Sequence, residues 1–318
     1  MSNGLSTMQD DMADPDIRRF VDAINAAYVE HGAAAGASMA VRRQVAERVR
    51  TPWREGGPIM AESAELDMGG VRLRLHRPIA DEKLPVMLYI HGGGWTLFSI
   101  DTHDRLMREY AARAGIAVLG IDYSLSPESK FPVALEECAA ALDWIERQAD
   151  ALNLDADRVL IGGDSAGANL SVATCLLQRQ RGRPLPIAML LNYGAFDPKH
   201  TPSYARFGAG DYSLDAGEMD IFWANYVDDA AQLSDPLVAP LRADPTGLPS
   251  AFLAIADCDI LADCNDAFAR KLEDAGVPTH AVTYVGATHS FLEAMSIAPL
   301  ADRALGEQAA WIREIVQA

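Results

Sequence analysis

The stretch Gly163-Asp164-Ser165-Ala166-Gly167 limits what this chain can fold into more than any other. It lies between an apolar run, Arg158 to Gly163, and an amphipathic one, Ala166 to Arg181. The first reads as a short buried strand and the second as a helix. A serine at such a junction sits on a strained turn with its hydroxyl held out over a sheet edge, and only small neighbours let the backbones pass that closely. The helix that follows points its first N–H groups at the place where negative charge would develop. Glycine and serine are common in plain loops, so the motif gains its weight from the strand before it and the helix after it.

The same strand–helix rhythm runs through most of the chain. Leu84 to His91 and Gly115 to Asp122 read as apolar strands. Helices are expected over Asp101 to Ala114, with Asp101 as its cap, and from Pro132 to about Leu152. Further strands are expected at Ile187 to Tyr193, Ser250 to Ala256 and Thr279 to Val285, with helices near Asp263 to Ala275 and Ala298 to Val316. Glu62 to Arg77 alternates apolar and polar residues around Met68-Gly69-Gly70, which is a hairpin pattern. Such alternation predicts an α/β protein with a mostly parallel sheet covered on both faces. Two segments stand outside it. Asp14 to Arg50 reads as helical and is followed by Pro52. More than fifty residues separate the Tyr193 and Ser250 strands, and they carry Phe196, Tyr204, Phe207, Tyr212, Phe222, Trp223 and Tyr226. So long an excursion suggests a helical insertion capping the sheet, the alternative being aromatics that pack only among themselves.

Composition narrows the function classes. A chain of 318 residues can bury a full core as one large domain or a domain with an insertion. A formal charge of -18 argues against binding a nucleic-acid backbone or an anionic membrane surface. The first twenty residues show no secretory pattern, and no apolar stretch approaches the ~20 residues of a membrane helix. Cys138, Cys175, Cys258 and Cys264 form neither a CxxC nor a paired framework, which suits reduced thiols in a cytoplasmic protein. No histidines stand at metal-ligand spacing beside Cys258 and Cys264, so no metal is expected.

A serine nucleophile needs a base within hydrogen-bond reach and a carboxylate to orient that base. His280 and His289 follow Ser165 at a wide interval. His280 falls where a sheet would hold it, whereas His289 lies just past the Thr279 strand, at the edge where parallel sheets bind ligands. For the acid, Asp257, Asp259 and Asp263 all follow the Ser250 strand. Asp259 occupies the middle of the loop and is preferred, with Asp257 in reserve; a helix cap accounts for Asp263. His91-Gly92-Gly93-Gly94-Trp95 directly follows the Leu84 strand, and consecutive glycines can present N–H groups to a substrate at close range. With the N–H of Ala166 they suit an oxyanion hole, and no phosphate-loop or dinucleotide pattern competes. His91 is expected to support this loop, and His103 and His200 to lie at the surface.

HGGGW (His91 to Trp95), GDSAG (Gly163 to Gly167), Asp259-Ile260-Leu261-Ala262-Asp263 and Gly286 to Phe291 together resemble the hormone-sensitive-lipase-like carboxylesterases, from about Leu84 to the C-terminus. Asp101 to Arg105 and Asp122 to Glu128 look most like bacterial acetyl esterases, although Ser124 and Ser126 depart from the Tyr-Arg-Leu-Ala-Pro-Glu of many relatives. The resemblance implies an α/β-hydrolase fold with Ser165 as nucleophile, Asp259 as acid and His289 as base. Gly93, Gly94 and Ala166 would be the oxyanion donors. It also implies a cap built from residues 1–55 and an insertion at 196–235, over a catalytic domain of 56–195 and 236–318. Trp95 and the cap aromatics are expected to crowd the substrate, with Leu97 and Phe98 on the same wall, so short acyl groups are anticipated. The expected activity is cofactor-free hydrolysis of a small ester. An amidase or carbamate hydrolase with the same triad is the enzymatic alternative, and a ligand-binding protein on a hydrolase scaffold the non-enzymatic one. A homodimer is left open.

Overall fold

Seven consecutive buried residues, Leu84–Ile90, set the centre of the sheet. The protein is described here by a computed structural model covering residues 11–34 and 36–318; the reading of the first ten residues lies outside these. The chain begins with α1 (Pro15–His31) and α2 (Met39–Arg54), followed by β1 (Glu62–Met68), β2 (Val71–Arg77) and β3 (Leu84–Ile90). Next come α3 (Asp104–Ala114), β4 (Ala117–Asp122), α4 (Val133–Gln148), β5 (Leu154–Asp164), α5 (Ala166–Gln180) and β6 (Ala188–Asn192). The excursion carries α6 (Pro202–Phe207) and α7 (Ala216–Tyr226), and the chain ends with β7 (Ser250–Cys258), α8 (Ala262–Asp274), β8 (Thr279–Thr288) and α9 (Pro299–Gln317).

The eight strands stand in the order β1-β2-β4-β3-β5-β6-β7-β8. β2 pairs antiparallel with β1 and β4, and every other neighbour is parallel. Two apolar clusters fill the two faces, one including residues of α4, α5 and α8, the other residues of α1, α3 and α9. Burial on both faces is what continuous apolar strands require. The chain leaves β3 for β4 on one side and returns through α4 to β5 on the other. That reversal opens a crevice beyond the carboxyl ends of β3 and β5, the usual ligand position in such sheets.

Several expectations change in detail. The N-terminal helical stretch is two helices, separated around Gly32, and Pro52 lies inside the last turn of α2. Asp14 caps α1, its Oδ1 accepting from the N–H groups of Asp16 and Ile17. Asp101 does not cap α3, which begins at Asp104. Its carboxylate instead accepts from Arg72 and Arg74 of β2 at 2.7 and 2.6 Å. Two charge-assisted bonds outcompete a capping bond to a backbone amide. Asp263 is likewise no cap: it lies inside α8 and accepts from Ser203 N–H at 2.8 Å.

The helical segments outside the α/β rhythm are held through carboxylates, as Arg43 on Glu128, and through main-chain oxygens. Arg43 of α2 donates from Nε to Thr96 O and from Nη2 to Ser126 O, each at 2.8 Å. Asp14 N–H donates to Gly286 O at 2.9 Å, and Arg18 donates to Asp211 O. Lys130 Nζ donates to Val227 O at 2.9 Å, just past α7.

Ile90 and Gly163 are register partners at the crevice. A Cβ on either Gly163 or Gly167 would run into the Ile90 carbonyl oxygen, a backbone atom that cannot swing aside. Gly306, by contrast, lies in α9 with nothing within 4 Å of an added Cβ. Gly167→Ala is therefore expected to destabilise the fold by about 3 kcal/mol, at the top of the overpacking range. Gly306→Ala should stabilise it by roughly 0.5–1 kcal/mol through helix propensity. Urea unfolding of the two variants beside the wild type checks both signs.

Candidate active site

Ser165 follows the last residue of β5 and precedes α5, with φ 53° and ψ −116°. This is strained backbone for a residue bearing a Cβ, and it persists because the surroundings over-determine it. Ser165 N–H donates to Asn192 O at 2.9 Å, fixing the turn to β6. α5 continues from the turn as a helix buried on nearly every side, so its N-terminus cannot drift.

β7 and β8 deliver the other two side chains. Asp259 follows β7 and is 1% exposed; its Oδ1 accepts from Leu261 N–H at 3.0 Å, which orients the carboxylate. His289 follows β8. Its Nδ1 donates to Asp259 Oδ2 at 2.7 Å, leaving Nε2 as the acceptor for the Ser165 hydroxyl at 3.0 Å. The structure thus brings Ser165, His289 and Asp259 into one hydrogen-bonded line. The reserve residue Asp257 lies apart from it, with a carboxylate oxygen 3.5 Å from Gly286 N. Burial opposes charging of His289, but the Asp259 charge and hydrogen bond, with Asp164 and Glu218 behind them, raise its pKa above the ordinary 6.5. Proton acceptance from serine is thereby favoured.

The glycine loop faces the same point. Gly93 and Gly94 have φ of 108° and 57°, values that favour glycine, and both line a cavity of about 310 Å³ with Ser165 and His289. A Cβ on Gly94 would strike the Phe222 ring, so close packing of α7 over the loop also requires glycine there. Neither N–H group donates to a backbone carbonyl among the described residues, and Ala166 N–H lies at the free start of α5. His91 supports the loop as expected. Its Nδ1 donates to Gly92 O at 2.7 Å, its ring stacks on Tyr123, and burial pulls its pKa down to about 3, so it stays neutral.

Trp95 requires correction. Its side chain is 0% exposed and is not part of the cavity wall. The backbone turns left-handed at Gly94 and Trp95, and the indole stacks on Tyr226 at 4.3 Å and against Trp223 at 4.5 Å. It anchors the far side of α7 instead of touching a substrate. Leu97 and Phe98 do line the cavity, together with Phe222, while Phe196 packs on Phe268 and Phe207 on Tyr212. The aromatics of the excursion are therefore mostly packing residues.

His103 also requires correction: it is buried, not at the surface, and lies 3.4 Å from Asp164. Burial works against both charges, yet their mutual attraction raises the pKa of His103 and lowers that of Asp164. Asp164 additionally accepts from Tyr89 Oη at 2.8 Å and Gly92 N–H at 3.2 Å. The residue before Ser165 thus clamps the glycine loop. No local spacing announces that partnership. His200 is exposed and pairs with Asp220. The cavity also receives Ile24, Tyr28 and Arg50 from α1 and α2 and Glu218 and Met219 from α7, none of which the sequence marks. Among the described residues, no group of three or more His, Cys, Asp or Glu side chains is placed to hold a metal ion, and no helix is long and apolar enough to cross a membrane. All four cysteines are buried and unbridged.

Comparison with known proteins agrees with this geometry. The family model described as the alpha/beta hydrolase fold matches residues 87–293. An ethyl acetate hydrolase from Pseudomonas putida is 32% identical over 295 residues, 87% of this chain and 92% of the relative. An acetyl esterase from Salmonella schwarzengrund is 33% identical over 244 residues, covering 76% and 75% of the two chains. The crystal structure of an alpha/beta hydrolase enzyme from the metagenome of Lake Arreo, Spain, superposes with a TM-score of 0.90 at 32% identity, covering 96% of this chain and 99% of the other. With its four motifs gathered at one crevice of an eight-stranded sheet, the chain belongs to the α/β-hydrolase fold family, in its hormone-sensitive-lipase-like branch.

Proposed function

We propose that this protein is a serine carboxylesterase that hydrolyses short-chain acyl esters through an acyl-enzyme on Ser165. The observation that carries the reading is the hydrogen-bonded line Ser165–His289–Asp259, which shares a cavity with glycine-loop residues whose N–H groups donate to no backbone carbonyl among the described residues. His289 takes the serine proton as Oγ attacks the ester carbonyl. The oxyanion accepts hydrogen bonds from the N–H groups of Gly93, Gly94 and Ala166. His289 Nε2–H then protonates the departing alcohol, and water repeats the sequence on the acyl-enzyme. Asp259 keeps the imidazole tautomer and offsets its transient positive charge. The relatives named ethyl acetate hydrolase and acetyl esterase support a small acyl group. The cap division at 1–55 and 196–235 belongs to the same reading, supported by α1, α2 and α7 sharing the cavity with Ser165. Four unbridged thiols suit a reducing compartment, and a cytoplasmic location is part of the proposal.

The test is kcat/KM on p-nitrophenyl esters of increasing acyl length, with p-nitroacetanilide as the amide comparison. Activity should peak between acetate and butyrate and fall by about a millionfold in Ser165→Ala. Turnover of the anilide in preference to every ester would overturn the ester assignment.

A pH profile checks the base. Only neutral His289 can accept the serine proton, so kcat/KM must fall as pH drops through its folded pKa. That pKa is raised, so the midpoint of the acidic limb is expected above 6.5. Asp259→Asn removes the charge that raises it. The limb should then move to lower pH while kcat falls by about 10⁴-fold. An unmoved limb would mean that another group controls the profile.

A further inference from the structure

Arg50 is an unusual wall for an ester pocket. It comes from the last turn but one of α2, is 5% exposed, and lines the same cavity as Ser165 and His289. Its Nε lies 3.0 Å from Glu293 Oε2, and its guanidinium sits 5.0 Å above the Phe98 ring. Those two contacts fix the group in place. Nε and Nη1 are enclosed by protein, whereas Nη2 is not among the enclosed atoms and donates to none of the described residues, which leaves it as the donor open to the cavity. A guanidinium carries five donors and no acceptor, so it can be satisfied only by oxygen atoms that reach it. A hydrocarbon substrate filling this cavity would leave a desolvated donor unpaired.

The charges around the cavity select the kind of oxygen. Glu293 already neutralises Arg50, and Asp215 and Glu218 line the same cavity, adding negative charge to a chain of net charge -18. A second anion would be repelled by these carboxylates. An uncharged carbonyl, ether or hydroxyl oxygen accepts from Nη2 without that penalty.

We propose that Arg50 is a specificity-determining residue, and that the preferred substrates are esters bearing a second, uncharged acceptor oxygen that receives a hydrogen bond from its guanidinium. This rests on the esterase reading and adds the substrate's polar end to it. A charge-assisted hydrogen bond made in both the complex and the transition state raises kcat/KM by about ten- to a hundredfold over an isosteric hydrocarbon.

The test uses isosteric pairs that place the oxygen on either side of the scissile bond. On the acyl side, ethyl 4-oxopentanoate is compared with ethyl 4-methylpentanoate. On the alcohol side, 2-methoxyethyl butanoate is compared with butyl butanoate. Each kcat/KM is divided by the alkaline hydrolysis rate of that ester, removing intrinsic reactivity. The wild type should favour the oxygenated member of at least one pair by about tenfold or more. In Arg50→Met combined with Glu293→Gln, which avoids stranding a buried carboxylate, the ratio within the pair should fall to about one. Arg50→Lys keeps the charge opposite Glu293 but loses the planar fork, and should lower the same ratio. Because each ratio is taken within one protein, loss of folded material cannot mimic the result. A wild-type ratio near one on both pairs overturns the proposal, as does a ratio that survives in both variants. Absence of turnover on all four esters would instead sink the esterase reading itself.

Discussion

Where β3 and β5 end side by side, the Ile90 carbonyl passes against the α-carbons of Gly163 and Gly167, and both halves of the site depend on that approach. The glycine loop leaves one strand and the Ser165 turn leaves the other, so their spacing is set by sheet register and not by loop packing. A sheet ladder is stiff, which suits a reaction that needs donors and nucleophile held within fractions of an ångström. The strain at Ser165 is sustained by the same arrangement: the turn cannot relax while α5 is buried all round and Ser165 N–H is held by Asn192 O.

Two buried histidine–carboxylate couples then divide the labour. His289 with Asp259 faces the serine hydroxyl, and His103 with Asp164 lies behind the glycine loop. Asp164 of the second couple lines the cavity too, but its carboxylate also holds Gly92 N–H, so the couple stabilises the position of the loop. A buried pair of this kind costs desolvation energy and contributes geometry in return. Neutral His91, stacked on Tyr123, completes the support without adding another charge.

How much of this was legible in the sequence follows from the range of the interactions involved. The strand–turn–helix around Ser165 and the three glycines after β3 are local patterns, and each predicts its own backbone. Asp259 and His289 could be chosen because strand ends fix which loops reach the crevice. Trp95, Asp101 and His103 were misjudged for one shared reason. Each finds its partner on an element distant in sequence: Tyr226 on α7, Arg72 and Arg74 on β2, Asp164 at the end of β5. Arg50 was invisible for the same reason, since nothing in α2 alone announces Glu293 or a cavity.

The fastenings of the helical segments over this crevice have one more consequence. Arg43, Arg18 and Lys130 end on the carbonyl oxygens of Thr96, Ser126, Asp211 and Val227, and Asp14 N–H ends on that of Gly286. Such bonds recognise the path of the main chain and are indifferent to the side chains it carries. Apart from Glu128 and Glu293, whose carboxylates also meet Arg43 and Arg50, the receiving loops can therefore drift in sequence while these helices stay docked. Pocket walls are thus free to diverge between descendants of one ancestor without first undocking the helices that border them.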